Sequence, residues 1–288
     1  MSDVATKENH SIAGTDLDDI EALAIELANL AGAEIKAALG SILKVRYKTG
    51  AAEKEAAKAE WRDPVSEVDR KVEELIRVRL GKQFPDHDII GEEMEHRPSF
   101  GNDFVWAVDP IDGTTNFVNG FPMFAASIGV LHRGRPVVGA VWCSASHALR
   151  AGIYHATEGG KLRFEGSDVT PKVNPAVRRR LAGVPVATAE DSAWETRKTG
   201  SAAIECALVA AGLLQVARFA TPNIWDVAGG LALVRASGGI VHARHGDHWK
   251  PMEAFEAPNR SDGKPDLRYW KHPIIIGRRE AVEQMSAA

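Results

Sequence analysis

Leu17, Ile20, Leu23, Ala24, Leu27, Leu30 and Ala31 fall at the three- and four-residue spacing of one helix face. Thr15 with Asp18 resembles an acidic capping box ahead of that stripe, which is expected to run to about Leu39 before Gly40 stops it. Val68, Val72, Leu75, Ile76 and Leu80 repeat the pattern and predict a second amphipathic helix after Asp63-Pro64. The period then shortens. Asp88-Ile89-Ile90-Gly91 and residues 104–108 are apolar runs of strand length, and both end in acids: Glu92-Glu93 after the first, Asp109 and Asp112 after the second.

Residues 124–131 and 136–143 read as a hairpin turned at His132-Arg133-Gly134-Arg135. Residues 149–155 and 161–164 read as another around Gly159-Gly160, so this region is expected to be antiparallel. Gly200-Ser201 leads an apolar helix over 202–211, followed by a strand over 213–219. A further apolar helix over 227–236 has Asp226 in the N-cap position. Strands at 240–241 and 273–276 and a closing helix over 278–288 complete the pattern. Residues 44–61 stand apart. Lys44-Val45-Arg46-Tyr47-Lys48 suits a short strand; the Ala-, Lys- and Glu-rich remainder is either a solvated helix or loop, or a flap carrying lysines over an anionic substrate.

With 288 residues, 44% hydrophobic and 26% charged, the chain has the makeup of a globular protein with a sizeable core. Residues 1–14 are expected to be a disordered lead and residues 15–288 a single domain. A net charge of -4 offers no strongly basic face, so no nucleic-acid partner is expected. The polar amino terminus holds no apolar run of signal-peptide or membrane-span length, and a cytoplasmic location is the expectation. Cys143 and Cys206 sit among apolar residues and read as buried thiols.

The chemistry concentrates in Asp109-Pro110-Ile111-Asp112-Gly113-Thr114-Thr115. Pro110 biases Asp109 toward an extended backbone, and Gly113 permits a sharp turn. Asp-Gly-Thr-Thr looks like a helix start whose free N–H groups favour an anion. Two acids beside an anion site repel it unless a cation lies between them. Glu92, Asp109, Asp112 and Asp226 each lie at the end of an expected element, where loops converge on one sheet edge. Oxygen ligands without a His/Cys cluster point to a hard cation, Mg²⁺ or Mn²⁺. Asp69 is either an acid favoured by its helix dipole or a member of the same constellation. Zinc-type spacing, a Walker lysine, a nucleophile elbow and a dinucleotide fingerprint are absent.

Gly91-Glu92-Glu93, Trp106-x-x-Asp109-Pro110-Ile111-Asp112-Gly113-Thr114-x-Asn116-Phe117 and Trp225-Asp226-Val227-Ala228-Gly229-Gly230 resemble the motifs of the inositol monophosphatase family, and residues 63–69 its upstream motif. The resemblance implies an α+β, layered αβαβα sandwich with a metal-binding half over about 15–145 and a substrate-side half over about 146–288. It implies a Mg²⁺-dependent, lithium-sensitive phosphatase, often a homodimer, that hydrolyses a phosphate monoester with a metal-activated water and no phosphoenzyme. By that resemblance Glu92, Asp109 and the Ile111 carbonyl hold a first ion, Asp109, Asp112 and Asp226 a second, and Glu92 reaches a third. Thr114 with Asp69 behind it orients the attacking water, the N–H groups of Gly113 and Thr114 bind phosphate, and Glu93 supports the site.

Gly200-Ser201-Ala202 resembles the family's substrate-contact segment. The glutamate that inositol-preferring members carry seven residues before the last metal aspartate is Phe219 here, with Asn223 nearby on the substrate side. Phenylalanine cannot accept a hydroxyl hydrogen bond, so Phe219 is either a core residue or a wall for a less polar substrate. An inositol-phosphate-like polyol or a sugar phosphate is the expected substrate. Histidinol phosphate and fructose 1,6-bisphosphate are the alternatives, ahead of an adenosine 3′,5′-bisphosphate or a non-catalytic regulatory role.

Overall fold

Helix, sheet, helix, sheet and helix are stacked in that order in the computed structural model, which describes residues 11–12, 15–41, 45–47, 64–94, 102–172, 174–178, 180–184 and 194–287. Two short antiparallel pairs lie near the start of the chain: β1 (Ser11–Ile12) with β2 (Thr15–Asp16), and β3 (Val45–Tyr47) with β4 (Pro64–Ser66). The first pair corrects the expectation of a lead without structure through residue 14. It also starts the first helix at Leu17. The acidic and Lys-rich part of the expected flap, residues 48–61, lies outside the described residues.

The outer helices α1 (Leu17–Ala38) and α2 (Glu67–Gln83) bury their apolar stripes on one face of a seven-stranded sheet. Its strands, β5 (Asp88–Gly91), β6 (Phe104–Asp112), β7 (Ala125–His132), β8 (Arg135–Cys143), β9 (Gly152–Thr157), β10 (Arg163–Phe164) and β11 (Ser167–Asp168), lie side by side in chain order. β5 and β6 are parallel and the remaining neighbours antiparallel. Leu149, expected in a strand, is 96% exposed outside one.

The short α3 (Thr114–Val118) follows β6. On the other face of the sheet lie α4 (Ala202–Ala210) and α5 (Ile224–Ala236), which are covered in turn by a mixed sheet. That sheet holds β12 (Arg180–Gly183), β13 (Trp194–Arg197), β14 (Val216–Phe219), β15 (Ile240–His245), β16 (His248–Pro251) and β17 (Ile274–Gly277), in the order β13-β12-β14-β17-β15-β16. The last helix, α6 (Arg279–Ala287), closes a third core over Val216 and Ile275.

The seating of α5 positions the site. A Cβ on Gly129 of β7 would come 2.4 Å from the Gly229 nitrogen, and one on Gly139 of β8 2.2 Å from the Gly229 oxygen. Helix backbone and sheet backbone therefore touch there, and no side chain fits between them. Cys143 and Cys206 are free and buried, as expected. Among the described residues no helix is long and apolar enough to cross a membrane.

Candidate active site

β6 continues through both aspartates instead of ending before them. Asp109 pairs with Ser127 and Asp112 with Ala125, so three steps along β6 match two along β7. The extra residue makes a bulge between Asp109 and Asp112, a stretch that includes Pro110, which has no N–H to donate to the ladder. In a regular strand residues three apart point to opposite faces; the bulge turns Asp109 and Asp112 to the same one. Gly91 of β5 pairs with Val108, which sets Glu92 beside Asp109. Asp226 comes from the first turn of α5. The helix begins at Ile224, so Asp226 is not its N-cap: its carboxylate reaches back to the N–H of Asn223 (2.8 Å), the residue that occupies that place.

These four carboxylates press on one another. Burial raises the Asp109 pKa well above the usual carboxylate range, and the charges of Glu92, Asp112 and Asp226 add to it. Burial also lifts Asp112 to about 7, against hydrogen bonds from the Ser201 hydroxyl (2.5 Å) and the Ala203 N–H (2.6 Å), while Glu92 adds to the rise. Asp226 is raised by burial and then by Asp112. A hydrogen bond with Glu92 adds further to the rise at Asp109.

Asp69 is fully buried and closes a capping box on α2, accepting from the Ser66 N–H (2.8 Å) and hydroxyl (2.5 Å). Its other oxygen lies 3.1 Å from the Thr114 hydroxyl, which is also 2.9 Å from the Ile111 carbonyl. Burial pushes its pKa up to about 6, the Ser66 hydrogen bonds oppose this, and Glu93 and Glu92 add to it. Asp69 therefore both caps α2 and touches Thr114.

Gly113, at φ 92°, turns the chain into α3. Beside it a cavity of 210 Å³ is lined by Gly200, Ser201, Ala202, Phe219 and Asp226, together with Lys198 and Arg218. Phe219 is 8% exposed, a core residue whose edge is also wall. Asn223 hydrogen-bonds to Asp226 instead of lining the cavity.

Glu73, Arg77 and Arg268 support the site and were not legible in the sequence. Glu73, fully buried, accepts from the Glu93 N–H (2.7 Å), the Met94 N–H (3.2 Å) and Arg77 (2.8 Å), and so holds the turn that presents Glu92. Arg268 donates to the carbonyls of Met94 (3.1 Å) and Glu92 (3.4 Å) while its guanidinium lies 5.1 Å over the Trp225 ring, tying the Glu92 turn to the start of α5. The only signal in the sequence was the Glu73–Arg77 spacing of four, which ordinarily marks an exposed helix pair.

The inositol monophosphatase family model matches residues 16–264. The chain belongs to that family. A fructose-1,6-bisphosphatase/inositol-1-monophosphatase of Aquifex aeolicus is 31% identical over 212 residues, 70% of this chain and 80% of that one. The Nus factor SuhB of Escherichia coli (strain K12) is 32% identical over 228 residues, covering 73% and 82%. The fold is shared with an inositol monophosphatase structure from Anabaena, at a TM-score of 0.69 and 22% identity over 95% of this chain and 96% of the other. The protein is therefore a phosphoric monoester hydrolase of a metal-dependent family with small-molecule phosphate substrates.

The support beneath Glu92 makes a prediction. A Cβ on Gly91 would meet Glu73 Oε1 at 2.2 Å, so Gly91→Ala must displace the buried carboxylate or the turn it holds. We expect this variant to need about tenfold more metal for half-maximal activity, the usual scale for a disturbed ligand support. Metal titrations of wild type and variant, with circular dichroism as the fold check, decide it. An unchanged half-saturation would remove Glu73 from the site.

Proposed function

We propose that this phosphatase hydrolyses a small phosphate monoester with Mg²⁺: two ions, a third within reach of Glu92, and Mn²⁺ as the alternative cation. The observation that carries this is the mutual charge pressure among Glu92, Asp109, Asp112 and Asp226 beside a cavity. An all-oxygen donor set suits a hard cation. Among the described residues no three His, Cys, Asp or Glu side chains are already arranged as a metal-holding group. Glu92, Asp109 and the Ile111 carbonyl would hold one ion, and Asp109, Asp112 and Asp226 the second. When bound, such ions neutralise the carboxylates, polarise phosphoryl oxygens and make water more acidic.

The chain's own residues then have distinct tasks. Thr114 can donate its one proton to Asp69 or Ile111 and accept a hydrogen bond from the attacking water. Asp69, with a pKa of about 6, is suited to take that water's proton by way of Thr114 near neutral pH. As the water oxygen bonds to phosphorus, the ester P–O bond breaks with its electron pair on the alcohol oxygen, which takes a proton from solvent. Gly113 and Thr114 would hold the phosphate through their N–H groups; α3 has five residues, too few for a sizeable dipole. Lithium inhibition, a homodimer and a cytoplasmic location belong to the same reading, as does a single domain over 15–288.

Phe219 offers no acceptor to a polyol hydroxyl, while Lys198 and Arg218 bring positive charge to the cavity. This favours a substrate with a second anionic group, such as a sugar bisphosphate, over an inositol monophosphate, whose ring is uncharged. Phosphate release should be measured with Mg²⁺, with and without lithium, on myo-inositol 1-phosphate, fructose 1,6-bisphosphate, histidinol phosphate and adenosine 3′,5′-bisphosphate. The bisphosphate sugar should lead inositol 1-phosphate in kcat/KM by about tenfold, one lost or gained polar contact. A preference for inositol 1-phosphate would reverse this choice. No metal-dependent release from any monoester would favour a binding role, the direction in which the resemblance to the Nus factor points.

A further inference from the structure

The Asp112 carboxylate is aimed by the chain just ahead of α4. Its Oδ2 accepts from the Ser201 hydroxyl at 2.5 Å and from the Ala203 N–H at 2.6 Å. Ser201 is the N-cap of α4, and its hydroxyl oxygen accepts from the Ile204 N–H at 3.2 Å. With its one proton given to Asp112 and a lone pair taken by Ile204, that hydroxyl is held in one orientation. Ser201 is fixed in turn by Thr199. The Ser201 N–H donates to Thr199 Oγ1 at 3.2 Å. The Thr199 hydroxyl lies 2.9 Å from Glu205 Oε1 and 3.0 Å from the Ser201 carbonyl, and the carboxylate is the stronger acceptor of its proton. The Thr199 N–H donates to the same Glu205 oxygen at 3.1 Å.

Glu205 is buried in the first turn of α4, where an acid is ordinarily explained by the helix dipole. Its bonds go further than that. In a capping box the third helical residue bonds back to the N-cap N–H; Glu205, the fourth, reaches past Ser201 to Thr199. Burial raises its pKa and the Thr199 bonds oppose the rise, so the carboxylate depends on Thr199 as much as Thr199 depends on it. Gly200, at φ 82°, makes the sharp turn between Thr199 and Ser201. On the far side Asn116 donates to the Thr199 carbonyl at 2.8 Å and to the Met123 carbonyl at 2.6 Å. The three residues 199–201 are therefore clamped between α3 and α4.

We propose that Thr199 and Glu205 are positioning residues for the second metal ion: they fix Ser201, and Ser201 fixes Asp112. Neither is a ligand. The inference rests on Asp112 and Asp226 as ligands of that ion. Without the Thr199 hydroxyl, Ser201 loses the acceptor for its N–H and Asp112 loses its fixed donor. The first ion, which would be held by Glu92, Asp109 and the Ile111 carbonyl, does not use Asp112 and is left alone.

The test counts Mn²⁺ bound to the full chain, by electron paramagnetic resonance of the ion left free. The second ion's class of site is the one lost in Asp226→Asn. Thr199→Val keeps the shape of the side chain and removes the hydroxyl; it should raise the dissociation constant of that class about tenfold and leave the other class unchanged. Glu205→Ala should do the same, and the double variant should be no worse than either single one, because the two residues act in series. Thr199→Ser keeps the hydroxyl and Glu205→Gln keeps an acceptor oxygen, so both should bind like wild type. Thr199 is only partly buried, so its valine variant carries the test even where Glu205→Ala fails to fold. Unchanged binding of the second class in Thr199→Val would overturn the proposal. So would an equal weakening of both classes, which is what a general loosening of the fold produces. A wild type that binds no Mn²⁺ would overturn the proposed function itself, and this inference with it.

Discussion

Asp112→Asn is expected to leave a folded protein that has lost about a thousandfold or more of its phosphatase activity, roughly 4 kcal/mol at the barrier. The fold should survive because the aspartate is not what holds it together. Its carboxylate is buried beside Glu92 and pushed up to about 7, so the ionised form is a burden on the folded state. Asparagine can still accept from the Ser201 hydroxyl and the Ala203 N–H that now bind Asp112. The activity should not survive, because the substitution removes a negative charge from the set that would hold the cations. Steady-state rates with a generic monoester, alongside a thermal melt, give both readouts. A soluble, folded variant with near-normal turnover would sink the assignment of Asp112.

The second large effect is on stability. Asp69 and Asp112 have folded-state pKa values of about 6 and 7 against 3.8 for an unperturbed aspartate. Between those limits the folded chain binds more protons than the unfolded one. Stability of the chelated protein should therefore fall as pH rises from about 4 to about 7, with the loss complete above the folded values. The two shifts together correspond to a loss on the order of 7 kcal/mol, or about 12 °C in Tm for a chain of this size. Adding Mg²⁺ at neutral pH should recover much of it, since an ion that binds only the folded state stabilises by mass action. Melting curves in chelator across that pH range, compared with an Asp69→Asn/Asp112→Asn variant, isolate the contribution: the slope should shrink in the variant. A Tm that ignores both pH and Mg²⁺ would mean that the carboxylates do not form a repulsive cluster.

The helical stripes from Leu17 and Val68, the hairpin around Gly134, and the acids of the Asp109–Asp112 stretch were all legible in the chain, since each is encoded within a few residues. The motifs around Glu92 and Asp226 carried the family, and with it the layered architecture. Two local expectations failed for local reasons. The run over 104–108 reads as a strand that ends before the acids, yet the strand continues through a bulge to Asp112. Asp226 reads as an N-cap from its place before an apolar stripe, yet it is the third helical residue and its carboxylate bonds back to the N–H of the N-cap Asn223.

What only the tertiary structure decided is which distant surfaces touch. Glu73 reads as half of a solvent-exposed helix pair until β5 and the Glu92 turn are laid over it. Gly129, Gly139 and Gly229 are unremarkable one by one, and become a backbone contact when α5 meets β7 and β8. Arg268 stands 176 residues from the Glu92 carbonyl it binds. Periodicity and turn chemistry act within a few residues and leave a trace in the order of the chain. Burial of a charge, or contact between two backbones, depends on the face that arrives from elsewhere, so the sequence determined the elements and the candidate acids while packing determined their partners.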